Sequence, residues 1–224
     1  MLIHADFSKF VAIRPDQYQW VASPQAGVDR VMLDRIGAEQ ARATSLVRYA
    51  KAASFPQHEH PKGEEILVLS GVFSEHGIDY PAGYYLRNPE GSSHQPSTQE
   101  GTLVFVKLRQ MSDDDRQSLG INTHDADHWQ QQTDTEGQTQ HFCPLFHNDN
   151  EQVELRQLTT QQILRSDPEQ LTEILVISGS LSSDQVQYPQ GSWLRIPKGA
   201  KHSFRANSDL VKVYIKRMKN ITNI

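Results

Sequence analysis

The sequence lacks several features that would mark a secreted, membrane or nucleic-acid-binding protein. Its 224 residues include a single cysteine, Cys143, so an intrachain disulfide and any zinc site with two cysteines are excluded. It has no run of about eighteen apolar residues, and its first residues do not form a basic region followed by an apolar core. The 22 basic and 27 acidic residues leave a net charge of −5 and no global basic field. We therefore expect a cytoplasmic protein without a nucleic-acid or membrane partner.

The sequence also lacks a convincing 3.6-residue period. Short apolar and β-branched runs recur instead, separated by Gly, Pro and Asp turns, for example at 43–49, 64–69 and 102–109. Short strands punctuated by turns are typical of an all-β barrel or sandwich. In the run from residue 64, alternation places Ile66 and Val68 on one face and two leucines on the other. Both faces of this strand are therefore predicted to be buried.

A group of metal-binding side chains begins at residue 58. His58 and His60 are two apart, which on a β-strand points both imidazoles to the same face. Turn-forming residues at 61–63 then let Glu64 open the next antiparallel strand beside them. A later strand ends in His94 and supplies a third imidazole. These four side chains are therefore predicted to bind one divalent transition metal.

The spacing of these residues resembles the two motifs of the cupin superfamily. The first motif has Gly, five residues, His-x-His, three or four residues, Glu, six residues and Gly, and its last four elements are matched by His58, His60, Glu64 and Gly71. The second has Gly, five residues, Pro-x-Gly, two residues, His, three residues and Asn, and it is matched by Gly83, Pro89, Gly91 and His94. The leading Gly of the first motif is Ala52 here, and the closing Asn of the second is Thr98. Neither departure touches a ligand, so the resemblance implies a cupin barrel with one metal.

An internal repeat predicts a second barrel. From 64 to 94, 15 of the 31 positions are identical to the residues 108 positions later. A period this long indicates a duplicated domain and not a solenoid repeat. The second copy has Ser166, Pro168 and Thr172 in place of the first three ligands and keeps only His202. We therefore expect the second copy to retain the fold without the metal.

We accordingly predict an all-β chain with two tandem cupin (double-stranded β-helix, or jelly-roll) barrels. Residues 1–110 would form an N-terminal arm and the metal-binding cupin, 111–140 a polar inter-domain linker, and 141–224 a degenerate second cupin. In the second cupin, His202 and Arg195 are the candidate residues of a vestigial pocket. The basic residues around them could bind a small anion or an acidic partner surface, although exposed charges on strands are the commoner explanation.

A closer resemblance is to the cupin-like domain of ChrR-type anti-sigma factors. The segments that carry it are Trp20, Ser23-Pro24, Gly27-Val28, 42–48, 64–69 and 87–94. In that family the cupin-like domain binds zinc, which carries over here to His58, His60, Glu64 and His94. The domain is needed in that family for releasing an ECF sigma factor in response to singlet oxygen or peroxide. The resemblance therefore implies zinc as the most favoured ion and a regulatory role in transcription control.

One family feature is missing from this sequence. ChrR proteins hold the sigma factor with a separate N-terminal helical zinc domain that contains Cys-x-x-Cys. Nothing before His58 contains a cysteine or a helical pattern. We therefore expect this chain alone not to capture an ECF sigma factor.

Two functional classes remain open. The first is a zinc-dependent sensor or binding module in the ChrR manner. The second is an enzyme, since three His and one Glu is also the ligand set of many cupin dioxygenases. Those enzymes use Fe(II), Mn or Ni, with open coordination positions for substrate and O₂. Either class could bind a small organic ligand, a homo-oligomer is compatible with both, and no catalytic residue stands out.

Overall fold

The computed structural model describes residues 1–38, 40–133 and 137–221, and most of this part of the chain is β-strand. The first twelve strands are β1 (Leu2–Ile3), β2 (Val11–Ile13), β3 (Trp20–Ala22), β4 (Val28–Ile36), β5 (Arg42–Tyr49), β6 (His58–Glu59), β7 (Glu64–Glu75), β8 (Ile78–Pro81), β9 (Tyr84–Asn88), β10 (Ser93–His94), β11 (Thr102–Leu108) and β12 (Leu119–Asn122). The remaining ten are β13 (Gln130–Thr133), β14 (Thr139–His147), β15 (Glu151–Thr159), β16 (Ile163–Arg165), β17 (Leu171–Ser178), β18 (Ser180–Ser183), β19 (Val186–Pro189), β20 (Trp193–Ile196), β21 (Ser203–Ala206) and β22 (Leu210–Met218). Two 3₁₀ turns complete the regular structure of these ranges, at Pro15–Gln17 and Ala126–His128. The all-β class predicted from the sequence is confirmed, and no helix in the described ranges has the length and apolar character needed to cross a membrane.

The chain divides into two compact units. Within the described residues, unit 1 consists of Met1–Ala5 and Gln19–His124, and unit 2 consists of Asp6–Tyr18 and Asp125–Ile221. In unit 1 the main sheet runs in the order β1-β4-β5-β11-β7-β9-β12, while β6 and β10 pair separately. In unit 2 one sheet has the order β13-β14-β15-β22-β17-β20-β2, and the other has the order β16-β21-β18-β19. β7 lies between β11 and β9 just as β17 lies between β22 and β20, as the internal repeat requires.

One face of the main sheet of unit 1 forms an apolar cluster. Its buried members are Val28, Tyr49, Ile66, Val68, Phe73, Leu86, Val104 and Val106. Ile66 and Val68 lie on this face, as the alternation from residue 64 predicted. Leu67 and Phe105 point to the other face and are also buried, with exposed fractions of 2%. β7 is therefore buried on both faces over its first half.

A glycine inside β7 redirects the strand. Gly71 has φ +70°, and a Cβ at this position would lie 2.0 Å from the carbonyl oxygen of Gly101. Only glycine fits such a close approach with positive φ. A glycine after an apolar run usually marks a turn, but β7 continues through Gly71 to Glu75 and exchanges its partner, pairing next with β8. The second half of the strand therefore leaves the main sheet.

The division between the units differs from the predicted linker. β12 at Leu119–Asn122 pairs with β9 in unit 1, and β13 at Gln130–Thr133 pairs with β14 in unit 2. The segment 111–140 therefore supplies an edge strand to each unit, and the division falls after His124. Edge strands need backbone pairing but little apolar surface. The sequence of these edge strands is therefore polar, and for this reason the segment was predicted to be a linker.

The N-terminal arm is also divided between the units. β2 pairs with β20, with Val11 opposite Arg195 and Ile13 opposite Trp193. The hydroxyl of Tyr18 donates a hydrogen bond to the carbonyl oxygen of Gly191. Residues 6–18 thus belong to unit 2, although the sequence grouped them with the metal-binding cupin.

Candidate metal centre

One strand pair and one tight turn bring the four predicted ligands of unit 1 together. His58 on β6 lies opposite His94 on β10 in an antiparallel pair. His60 follows β6, and its carbonyl oxygen accepts a hydrogen bond from the Gly63 amide at 3.0 Å. This turn reverses the chain so that Glu64 becomes the first residue of β7. One ligand atom from each of the four side chains lies within 4.8 Å of the others.

The distances within this group fit a shared ion. Nε2 of His94 lies 3.2 Å from Nε2 of His58 and 3.4 Å from Oε2 of Glu64. Nε2 of His60 lies 3.3 Å from the same carboxylate oxygen, yet it is buried and makes no hydrogen bond. Separations of this size are expected between neighbouring ligands at about 2.0 to 2.2 Å from one cation. A cation would also satisfy the buried nitrogen of His60, so the residues present fit a divalent metal.

The outer nitrogens of two of these histidines are already engaged. Nδ1 of His58 donates to the carbonyl oxygen of Pro56 at 2.9 Å. Nδ1 of His60 donates to Oγ of Ser92 at 2.8 Å, while that hydroxyl donates to the carbonyl oxygen of Pro89 at 2.6 Å. A proton on Nδ1 leaves the lone pair of Nε2 free to bind metal. Both rings are therefore fixed in the tautomer that a metal ligand needs.

The third histidine is oriented by a carboxylate that the sequence did not identify. Nδ1 of His94 donates a hydrogen bond to Oε2 of Glu75, whose side chain is buried. Glu75 reaches this place because β7 continues past Gly71. A signal was present in the internal repeat, since the position 108 residues later is Ser183, which lost its carboxyl group along with the three ligands.

Burial and charge shift the pKa values of the group in different directions. Burial, reinforced by the neighbouring His94 and His58, lowers the pKa of His60 to about 3. Burial also lowers the pKa of His58 and raises that of Glu64. For His94, burial alone would lower the pKa, but the hydrogen bond to Glu75 and the charges of Glu64 and Glu75 outweigh it and raise the pKa. Protons on His94 and on Glu64, the two ligands with raised pKa values, therefore compete with a metal ion.

Metal affinity is expected to fall as pH is lowered through the raised pKa of His94. The folded metal-free chain holds this proton more tightly than the unfolded chain, in which the pKa is 6.5. Protonated His94 thus stabilises the metal-free fold. This contribution is fully present below pH 6.5 and is lost as pH rises through the raised pKa. A metal ion must displace the proton, so the affinity should change by at least about one decade per pH unit below that pKa, and by more where Glu64 is protonated too. Competition titrations with a chelator between pH 5 and 9 measure this slope, and a flat profile would contradict it.

The two candidate residues of the second-copy pocket are not brought together. Arg195 is fully buried, and its guanidinium carbon lies 4.1 Å from the ring centre of Phe7. Its neighbours Leu194 and Ile196 belong to the interior cluster of unit 2, so alternation places Arg195 on the opposite face of the sheet. His202 instead stacks on Phe10, with ring centres 4.6 Å apart. The expected pocket of His202 and Arg195 is therefore not assembled.

The interior of unit 2 is filled by side chains. The buried cluster consists of Leu158, Leu164, Ile174, Val176, Leu181, Tyr188, Leu194, Ile196, Phe204, Ala206, Val211, Val213 and Ile215. The positions of the absent ligands include Ser166, whose hydroxyl accepts from the His202 amide at 2.9 Å. Within the described ranges, the group in unit 1 is the one cluster of three or more His, Cys, Asp or Glu side chains arranged to hold a metal ion.

All four predicted ligands border a cavity of about 500 Å³ in unit 1. Most of its wall is apolar and is formed by Val28, Val47, Tyr49, Phe55, Ile66, Phe73, Val104, Val106 and Leu108. A volume of this size lies within the range of small-molecule pockets. A metal ion at the four ligands would therefore face space in which a small organic molecule fits.

The comparisons with known proteins agree with this geometry. Residues 8–112 match the family model described as the ChrR cupin-like domain. The chain is a bicupin that resembles the ChrR cupin-like domain. The two tandem cupin barrels predicted from the sequence are therefore confirmed. A search of curated proteins gives no match to the bicupin.

Solved structures share the fold of this bicupin at low sequence identity. A Cupin 2 conserved barrel domain protein from Leptotrichia buccalis is 12% identical, with a TM-score of 0.59 over 89% of this chain and 92% of that chain. Bacterial pirin YhhW from Escherichia coli, solved with nickel(II), is 13% identical, with a TM-score of 0.67 over 94% and 99%. A candidate dioxygenase from Nostoc punctiforme is 10% identical, with a TM-score of 0.77 over 97% and 85%. At these identities the similarity concerns the fold alone.

Proposed function

We propose that this bicupin binds one divalent transition metal in unit 1 and that zinc is the resident ion. The observation that carries the proposal is the convergence of three imidazole Nε2 atoms and one carboxylate oxygen, with the Nδ1 atoms held by outer partners. Nitrogen and oxygen ligands of this kind suit zinc, and they also suit Fe(II), Mn and Ni. The similarity to the ChrR cupin-like domain favours zinc among these.

The role we propose is that of a sensor or binding module acting in transcription control. When bound, the ion would supply a Lewis acid with affinity for an oxygen atom of a ligand. The protein contributes the rest: the outer partners of the histidines orient the ligands, and the apolar wall of the cavity offers a surface for an apolar ligand. A small organic ligand is therefore the signal that we propose for this site.

An enzyme of the cupin dioxygenase type is the second candidate, and the cavity is the observation that favours it. A purely structural ion needs no adjoining space, whereas this one would border about 500 Å³. With Fe(II), Mn or Ni in place of zinc, coordination positions would stay open for a substrate. Tyr49 also lines the cavity, but burial raises its pKa, so it is a poor proton donor near neutral pH.

The metal content is expected to be one ion per chain. Elemental analysis of loaded protein measures the stoichiometry, and anomalous scattering identifies the ion and its coordination number. His60→Ala should reduce the content to near zero, because it removes a buried ligand. His202→Ala is the matched control in unit 2 and should leave the content unchanged. A value of two would contradict the assignment, and two water molecules on the ion beside all four side chains would favour the enzyme over the sensor.

A further inference from the structure

An arginine in the wall of the unit 1 cavity contributes to no interaction described so far. Arg30 lies on β4, two residues after Val28, and both residues line the cavity. In the antiparallel register Arg30 lies opposite Val47 of β5, which also lines the cavity. Alternation along both strands therefore places the Arg30 side chain on the cavity face.

Within the described part of the chain, Arg30 has no acidic partner. Its Nε is buried and makes no hydrogen bond. Among the described residues, the carboxylates that line the cavity are Glu64, which belongs to the metal centre, and the exposed Glu59. A buried polar group of a guanidinium without a partner costs free energy unless something satisfies it.

A second arginine on the neighbouring strand shows the contrast. Arg48 lies on β5 and is half exposed, and its guanidinium donates to Asp29 at 2.9 Å. The same group lies 4.3 Å from the ring centre of Trp20. Arg48 is therefore paired by the protein itself, whereas Arg30 lines the cavity with a buried Nε that has no partner.

We propose that the cavity binds a small organic carboxylate whose acid group pairs with Arg30 and whose apolar body lies along the valine-rich wall. The planar guanidinium matches a carboxylate in a two-bond arrangement. Arg109 also lines the cavity and adds positive charge to its wall. A neutral apolar ligand would fill the volume but leave the buried Nε of Arg30 unsatisfied. The ligand class is therefore an amphipathic monocarboxylate.

The position of Arg30 also bears on the length of the ligand. Along the main sheet, β4 is separated from β7 by β5 and β11, which makes three strand spacings. At about 4.8 Å per spacing this is about 14 Å along the sheet. In register, this distance leads from Arg30 to Val68, four residues along β7 from Glu64, so a ligand paired with Arg30 must also extend along the strands to approach the metal centre. A contact between the ligand and the metal ion rests on the proposed function, whereas the pairing with Arg30 does not.

The test compares an acid and its neutral analogue, 4-butylbenzoate and 4-butylbenzamide, by isothermal titration calorimetry on the full metal-loaded chain. The wild-type protein should prefer the acid, and Arg30→Met should reduce that preference about 10- to 100-fold, since a charge-assisted pair is lost. Arg48→Met, the matched control, should leave the preference unchanged. If Arg30→Met fails to fold, Arg30→Gln takes its place. An equal preference in wild type and Arg30→Met, or no binding of either probe, would overturn the proposal.

The same titrations after chelation separate this inference from the proposed function. Because the pairing with Arg30 needs no ion, the contrast between wild type and Arg30→Met should persist in metal-free protein. A chain that binds no metal but keeps this contrast would refute the metal centre and support the carboxylate site. A chain that binds one metal and shows no contrast would refute the carboxylate site alone.

Discussion

Chelating the metal is expected to lower the melting temperature of the wild-type protein by about 8 to 16 °C. The ion would join residues on β6, β7 and β10, and β6 pairs with β10 through only two residue pairs. A ligand present at a thousand times its dissociation constant stabilises the native state by about 4 kcal/mol. For a chain of this size each kcal/mol corresponds to roughly 2 to 4 °C. Differential scanning calorimetry of loaded and chelated protein measures the difference.

Two histidine variants sharpen this experiment. His94→Ala should abolish most of the difference between loaded and chelated protein, since it removes a buried ligand. His202→Ala changes the corresponding position of unit 2, where Ser166, Pro168 and Thr172 replace the other ligands. Its difference between loaded and chelated protein should equal that of the wild type. An unchanged difference in His94→Ala would place the stabilising ion elsewhere.

Glu75→Gln is expected to weaken metal binding by about 10- to 100-fold near pH 8, although Glu75 is not a ligand. Partners that orient a metal-binding imidazole typically have effects of this size. The buried carboxylate of Glu75 accepts the Nδ1 proton of His94, which fixes the ring and makes it more basic. A glutamine keeps the shape and an acceptor oxygen but loses the charge. Chelator competition measures the change in affinity.

The pH dependence of that variant distinguishes positioning from a general loss of structure. Without the charge of Glu75, a cause of the raised pKa of His94 is removed. Proton competition should then begin at a lower pH, so the affinity loss should be smaller at pH 6 than at pH 8. Glu90→Gln is a control, because Glu90 is partly exposed and lies 3.5 Å from Arg116. A loss that is equal at both pH values would show that Glu75 acts only on the fold.

The sequence was sufficient where chemistry and spacing are local. His58, His60 and Glu64 lie within seven residues, so strand alternation and one turn predict their meeting. His94 could be added because its surroundings match the second cupin motif. The barrels followed from the repeat, since identical residues 108 positions apart require the same strands. These inferences needed only periodicity, turn chemistry and family resemblance.

The parts that could not be predicted depend on pairing between distant segments. Glu75 reaches His94 only because β7 passes through Gly71 without ending, and turn chemistry alone favours an end there. An N-terminal arm was predicted, but nothing local in residues 6–18 shows that β2 pairs with β20 in unit 2. From the sequence alone, Arg30 looks like an ordinary exposed charge on a strand. Only the strand register shows that its side chain lies on the cavity face.

Because Ser183 occupies the position of Glu75, rebuilding a metal centre in unit 2 is a larger engineering task than the ligand motif suggests. His202 is already present, and three substitutions would restore the remaining ligands. A fourth, Ser183→Glu, would be needed to orient the ring of His202, since Ser183 lies opposite Val186 just as Glu75 lies opposite Ile78. Leu164 and Phe204 fill the interior there and would have to be reduced in size. Designers who graft this kind of site should therefore transplant five positions and the space around them as one module.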